Sequence, residues 1–206
     1  VKTWRLLFLV STVALGCLLA IPIFAQQPGT TSCASFRFFP ETGHNVCDQF
    51  LTFFESHGGL PILGYPITEQ FDENGRLVQY FQRVRMEYNP DLPPALQVQL
   101  GLLGDYLAPA DQKGSLSDSE IPATNDPQHR YFPETGHSVA YAFLDFFDAH
   151  GGSEVFGYPV TEFVNENGRM LQYFQHALME WDSNGREIQL HDLGTLWLDR
   201  QRGRTA

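Results

Sequence analysis

The residues with the most chemical reach in this chain are histidines, glutamates, tyrosines and arginines that come in matched pairs. His44 and His137 each follow a glutamate by three positions, Glu41 and Glu134, inside FFPETGHNV (residues 38–46) and YFPETGHSV (131–139). An imidazole beside a carboxylate is the material of general acid–base catalysis or of half a metal site. Two such ligands per segment are one fewer than a zinc site needs, and the two-histidine helix signature with its intervening glutamate does not occur. The plainer role is a histidine that bonds backbone near a helix start. Glu69/Glu162 and Glu87/Glu180 recur as well, and paired carboxylates are what glycoside hydrolysis uses, although spacing along the chain does not say whether they converge. Arg76 and Arg169 follow turn sequences and can pair with these acids across a sheet. Tyr65/Tyr158, Tyr80/Tyr173 and Tyr88/Trp181 offer rings for stacking on sugar or peptide wherever they are not core. No Gly-x-Ser-x-Gly elbow, phosphate loop or dinucleotide fingerprint is found. On these grounds no catalytic residue, metal ligand or cofactor is assigned. The ligand-binding candidates are His44, His137, Glu41, Glu134, Tyr65, Tyr158, Arg76 and Arg169.

The pairing itself defines the elements that must position these groups. Between Phe38 and Tyr88 more than half of the positions are identical to those between Tyr131 and Trp181 in a constant register, the signature of a tandem duplication. Each copy opens with a strand-like run stopped by proline (Pro40, Pro133). Asn45 and Ser138 are good helix N-cap types, so a helix is predicted to start there. Val46, Phe50, Leu51 and Phe54 fall at helical spacing, as do Val139, Phe143, Leu144 and Phe147. Gly58-Gly59 and Gly151-Gly152 end that helix, the first glycine of each pair acting as a left-handed cap. His57 and His150 stand just before, where a positive ring complements the helix dipole.

After a short buried turn, LGYP or FGYP, the period changes to two. Asn74-Gly75 and Asn167-Gly168 are strong hairpin turns. Val84, Met86 and Tyr88 alternate with Arg83, Arg85 and Glu87, and Leu96, Val98 and Leu100 alternate with Gln97 and Gln99. The last hairpin is three residues shorter in the second copy, turning at Asn184-Gly185. The expected fold is α+β: a tandem duplication in which each repeat is one helix packed on a small antiparallel sheet of about four short strands. The predicted organisation is a signal peptide (1–25), a linker (26–35), repeat 1 (36–107), a second linker (108–128), repeat 2 (129–198) and a polar tail (199–206) that is expected to fray. Units this small bury only about 60% of their chain surface, which favours leaning on each other.

With 206 residues, 43% hydrophobic and 14% aromatic, the chain has enough apolar mass for real cores, and its net charge is −11. No run of Lys or Arg exists to release counterions from phosphates, which argues against nucleic acid and anionic lipid. The amino-terminal stretch has a basic start (Lys2, Arg5), an apolar run from Leu6 to Phe24 and Ala25 before Gln26, the three parts of a secretory signal. The run is about long enough to span a bilayer, so a membrane contact through an uncleaved segment stays open. Without that segment the chain keeps Cys33 and Cys47, an even count that suggests a disulfide outside the cytoplasm.

FPETG, at residues 39–43 and 132–136, looks like a sortase cleavage motif, but here it occurs twice and internally. A turn is the better reading, in which Pro40 and Gly43 fix the backbone while Glu41 and Thr42 satisfy N–H groups ahead of the helix. The full pattern is G-H-x-V, an aromatic-bearing helix, G-G, L/F-G-Y-P-x-T-E, N-G-R and Q-Y-F-Q. As a set it resembles the LGFP repeat of secreted bacterial cell-envelope proteins, with residues 63–66 and 156–159 standing where that family has Leu-Gly-Phe-Pro. The resemblance implies a secreted or cell-surface module that attaches to cell-wall polysaccharide or peptidoglycan. Two other classes fit the residues: a small secreted hydrolase using Glu and His from each repeat, and a structural module packing on a protein partner.

Overall fold

A computed structural model describes residues 33–123 and 126–204. The expected signal segment and most of the first linker lie outside the described residues. Residues 33–204 fall within one compact unit. Among the described residues, no helix is long and apolar enough to cross a membrane.

The first half begins with a hairpin, β1 (Phe36–Phe39) against β2 (His44–Cys47), with Phe39 opposite His44. Its turn is closed by the Gly43 N–H donating to the Phe39 carbonyl at 2.8 Å, and Gly43 has φ +75°, where a side chain would be strained. Helices α1 (Asp48–Ser56) and α2 (Gly59–Leu63) follow. Then comes a four-stranded antiparallel meander, β3 (Phe71–Glu73), β4 (Arg76–Tyr80), β5 (Arg85–Tyr88) and β6 (Val98–Leu100), and a short helix α3 (Leu103–Leu107). The second half has the same order: hairpin β7 (His129–Phe132) and β8 (His137–Ala140), helices α4 (Tyr141–Ala149) and α5 (Gly152–Phe156), meander β9 (Val164–Glu166), β10 (Arg169–Tyr173), β11 (Leu178–Asp182) and β12 (Glu187–Leu190), and α6 (Leu193–Arg204).

Among the described residues the architecture is thus mixed α and β, with four small antiparallel sheets and six α-helices, not one helix per repeat. Three expectations about local structure need correction. Asn45 and Ser138 do not cap helices. They sit inside β2 and β8, because the chain pairs back on β1 and β7 before it turns. The helices begin three residues later at Asp48 and Tyr141, both in the left-handed region (φ 47° and 52°), which swings the chain from strand into helix. The Thr42 and Thr135 hydroxyls are buried without a hydrogen-bond partner, so they satisfy no helix N–H. The segment expected to fray, residues 199–206, is helical through Arg204 as the end of α6.

The glycine pairs do more than end a helix. Gly58 and Gly151 adopt φ 89° and 103° and stand at once after α1 or α4 and before α2 or α5. The Asn-Gly hairpins form as expected, with positive φ at Asn74, Gly75, Asn167 and Gly168.

One apolar cluster runs through both halves. Phe39, Phe50, Phe54, Leu63, Phe81 and Met86 belong to it together with Phe132, Phe143, Phe147, Phe156, Phe174 and Met179. Phe54 stacks on Phe81 and Phe147 on Phe174, each with ring centroids 5.5 Å apart. Fully burying one such ring contributes about 2–3 kcal/mol. The L/F-G-Y-P turns are held here by β-bridges from Pro66 to Phe81 and from Pro159 to Phe174.

The helix closing each half docks on the other half. In α3, the Gly104 and Asp105 N–H groups donate to the Gln175 carbonyl at 3.0 and 3.3 Å. In α6, the Thr195 N–H donates to the Gln82 carbonyl at 3.1 Å. The approach is so close that a methyl group on Gly104 would collide with the Phe174 carbonyl oxygen, and one on Gly194 with that of Phe81. Leu103 and Leu193, each fully buried beside these glycines, pack with Leu107, Leu171 and Leu178 in a second cluster. The halves therefore interlock by exchanging helices.

Candidate functional site

The recurrent histidines meet glutamates, but not the ones nearest in sequence. His44 Nδ1 lies 3.4 Å from Glu69 Oε1, and His137 Nδ1 lies 3.3 Å from Glu162 Oε1. Glu41 and Glu134 stand exposed on the hairpin turns, away from these pairs. The same Glu69 oxygen accepts the Asn45 N–H at 3.0 Å, and Glu162 accepts the Ser138 N–H at 2.8 Å and the Ser138 hydroxyl at 2.7 Å. Gln79 and Gln172 reinforce the corner, donating to the Asn45 and Ser138 carbonyls and to those of Thr68 and Thr161. Burial pushes the Glu162 carboxyl up, but hydrogen bonds from His137 and Ser138 outweigh it and hold the group below its ordinary value. These pairs brace β2 and β8 against the loop carrying the Thr-Glu motif. His137 is only 2% exposed, so a ligand cannot reach it without rearrangement.

The tyrosines are mostly structural too. Tyr65 and Tyr158 are half-buried and pack on Phe39 and Phe132 with centroids 6.1 and 6.0 Å apart. Tyr80 and Tyr173 are core residues whose hydroxyls donate to Glu73 and Glu166, and burial pushes both phenols up to about 12. The disulfide joins Cys33 to Cys47 with Cα atoms 5.6 Å apart, tying the entry segment to the end of β2. Beside it, the Asp48 carboxylate accepts the N–H groups of Ala34 and Ser35. Among the described residues, no group of three or more His, Cys, Asp or Glu is placed to hold a metal ion.

The arginines lie elsewhere, on the sheets. Arg76 meets Glu87 at 2.6 Å and Arg169 meets Glu180 at 3.3 Å, each bridging from one strand of the meander to the next. Arg76 and Glu87 also line a cavity of about 480 Å³, the size of a small-molecule site. Its other walls are Phe53 of α1 and His57 just past its end, Leu96 and Gln99 around β6, Tyr106 of α3, and Glu154 and His176 from the second half. Phe53 and His57 stack face to face, centroids 3.7 Å apart, while His57 Nδ1 lies 2.9 Å from the Phe53 carbonyl oxygen. Tyr106 is 56% exposed and stacks on Trp197. His176 Nδ1 lies 3.1 Å from the Gly101 carbonyl oxygen, and burial holds this imidazole below its ordinary value, toward the neutral form.

Of the eight sequence candidates, only Arg76 lines this cavity. A related depression of about 310 Å³ lies at the corresponding place of the other half, with Phe146, His150, Ile188 and Gln189 standing where Phe53, His57, Val98 and Gln99 stand in the first. The recurrence of Phe-x-x-x-His at the end of each helix was the available sequence signal. Its role as a wall depended on α3 folding back, which local patterning did not reveal. No protein-family model matches the chain, and no curated protein matches it.

Proposed function

We propose that this protein is an exported, non-catalytic module, a tandem duplication of an LGFP-like unit, that binds a cell-wall polysaccharide or peptidoglycan. The observation that carries the reading is the pair of depressions, one per half. Each has a histidine and a phenylalanine on its wall, at the end of a helix that recurs in both halves. Twin polar clefts, each with a half-buried phenylalanine ring beside a histidine, suit a repetitive polymer better than a single reacting bond. The Cys33–Cys47 disulfide fits an oxidising compartment outside the cytoplasm. The recurrent His-Glu pairs favour binding over hydrolysis, because their polar atoms are engaged in bracing backbone. Purified protein mixed with isolated bacterial cell walls and a panel of insoluble polysaccharides is expected to co-sediment with at least one of them. Recovery of all the protein in every supernatant would defeat the proposal.

A further inference from the structure

The two depressions differ in ways that concentrate ligand access in the first half. β6 follows a longer connection than β12, and a short helical turn at Pro94–Leu96 within it supplies Ala95 and Leu96 to the wall of the larger cavity. The residue after the last strand also differs. Leu100 pairs with Met86 and Leu190 with Met179, so Gly101 and His191 occupy equivalent places. Their N–H groups donate to equivalent carbonyls, those of Arg85 and Leu178. His191 puts its Nε2 2.6 Å from Glu180, and neither Glu180 nor Arg169 lines the smaller depression. At Gly101 there is no side chain, and Glu87 and Arg76 face the cavity instead.

The charges on the wall select the ligand. Arg76 is the one arginine lining the cavity among the described residues, and Glu87 already neutralises it at 2.6 Å. Glu154 adds a carboxylate, and the chain as a whole carries −11. A phosphate- or carboxylate-bearing polymer needs unpaired cations and would be repelled. What the wall does present is donors and acceptors side by side in Arg76, Glu87 and Gln99, between the Phe53–His57 stack and the exposed Tyr106 ring. That is the chemistry of sugar hydroxyls and apolar sugar faces.

We propose that the cavity beside Gly101 binds a short run of an uncharged glycan, with Tyr106 and Phe53 against sugar faces and Arg76, Glu87 and Gln99 meeting hydroxyls. This rests on the polymer-binding reading and narrows it to one place and one class of polymer. The test uses calorimetric titration of the full chain with neutral oligosaccharides cut from chitin, mannan, arabinan and galactan. Polygalacturonate, polyglycerol phosphate and a peptidoglycan stem peptide serve as rivals. At least one neutral oligosaccharide should bind, with affinity at least tenfold weaker in Tyr106→Ala and in Gln99→Ala. Gly101→His, which copies the second half, should abolish binding, and Asp118→Asn, on the connecting segment and outside both depressions, should leave it unchanged. Tyr106 and Gln99 are exposed, so their variants keep the test decisive even if Gly101→His unfolds. Preference for either anionic polymer or for the stem peptide overturns the proposal, as does unchanged affinity in both exposed variants. Co-sedimentation with cell walls that survives Tyr106→Ala and Gln99→Ala would place the polymer elsewhere on the protein and sink only this inference. Absence of co-sedimentation by the unaltered chain would remove the broader reading with it.

Discussion

The corners around His44 and His137 use the same parts in different surroundings. In both, a glutamate from the Thr-Glu loop holds a histidine and a strand N–H, and a glutamine below ties strand to loop. In the first half the histidine side chain is 30% exposed, and in the second it is 2% exposed. Part of the second corner's cover is the connecting segment, whose Leu116 N–H donates to the Gly136 carbonyl at 2.9 Å while Ser115 lies against Gly136. The first corner is secured covalently instead, by Cys47 bonded to Cys33, where the second has Ala140. Ser138 gives Glu162 a hydroxyl that Asn45 does not give Glu69. A strand-to-helix corner can thus be braced by a cross-link or by burial, and the two braces respond to different perturbations.

The interlock comes first among ways to break the comparison, since it should show no asymmetry. Gly104→Ala and Gly194→Ala should each cost about 3 kcal/mol through overpacking against backbone that cannot move aside. Urea denaturation measures both, and a large difference between them would show that the two docked helices are not equivalent. The disulfide is next and belongs to one half only. Replacing Cys33 and Cys47 together with alanine should cost about 2–3 kcal/mol by loop entropy. Reductant should lower the melting temperature of the parent and leave the double variant unaffected.

The glutamates separate the corners most directly. Glu162→Gln should cost about 2 kcal/mol, because charge-assisted bonds to a buried histidine and to Ser138 are weakened. Glu69→Gln, at a more open site, should cost about 0.5 kcal/mol. The acid limb of the stability profile sharpens this contrast. A carboxyl held below its ordinary value contributes fully at pH above the unfolded range of about 4, and that contribution is lost as pH falls through the lower folded value. His176, held toward neutrality by burial, acts in the same direction, since it resists the proton that the unfolded chain accepts below about pH 6.5. Melting curves from pH 7 to pH 3 should therefore fall less steeply for Glu162→Gln than for the parent. Equal slopes would remove Glu162 as a source of acid sensitivity. The smallest effect is expected from Arg76→Ala, within about 0.5 kcal/mol, because the Arg76 side chain is about half exposed and Arg85 still pairs with Glu87.

Local sequence was informative where local geometry is decisive. Asn74-Gly75 and Asn167-Gly168 can hold positive φ in succession, and that alone specifies a tight hairpin whatever surrounds it. Phe50, Phe54, Phe143 and Phe147 had to face a core, because rings at that spacing line one side of a helix. The cysteine count and the acid–arginine pairing across strands were legible for similar reasons. Asn45 and Ser138 misled because cap propensity is worth only about 1 kcal/mol, less than the strand pairing and glutamate bonds that hold them extended. Partners far along the chain decided the rest. Leu103-Gly104 and Leu193-Gly194 carry no periodic signal, and their helices form by docking on carbonyls of the opposite half. The cavity walls come from α1, the turn before β6, α3 and the second half, so it exists only once those helices are exchanged. The sequence determined the repeated parts and their turns, which depend on residues a few positions apart. The tertiary structure decided which of two similar corners is sealed and which cleft stays open, since burial depends on what the rest of the chain lays across it.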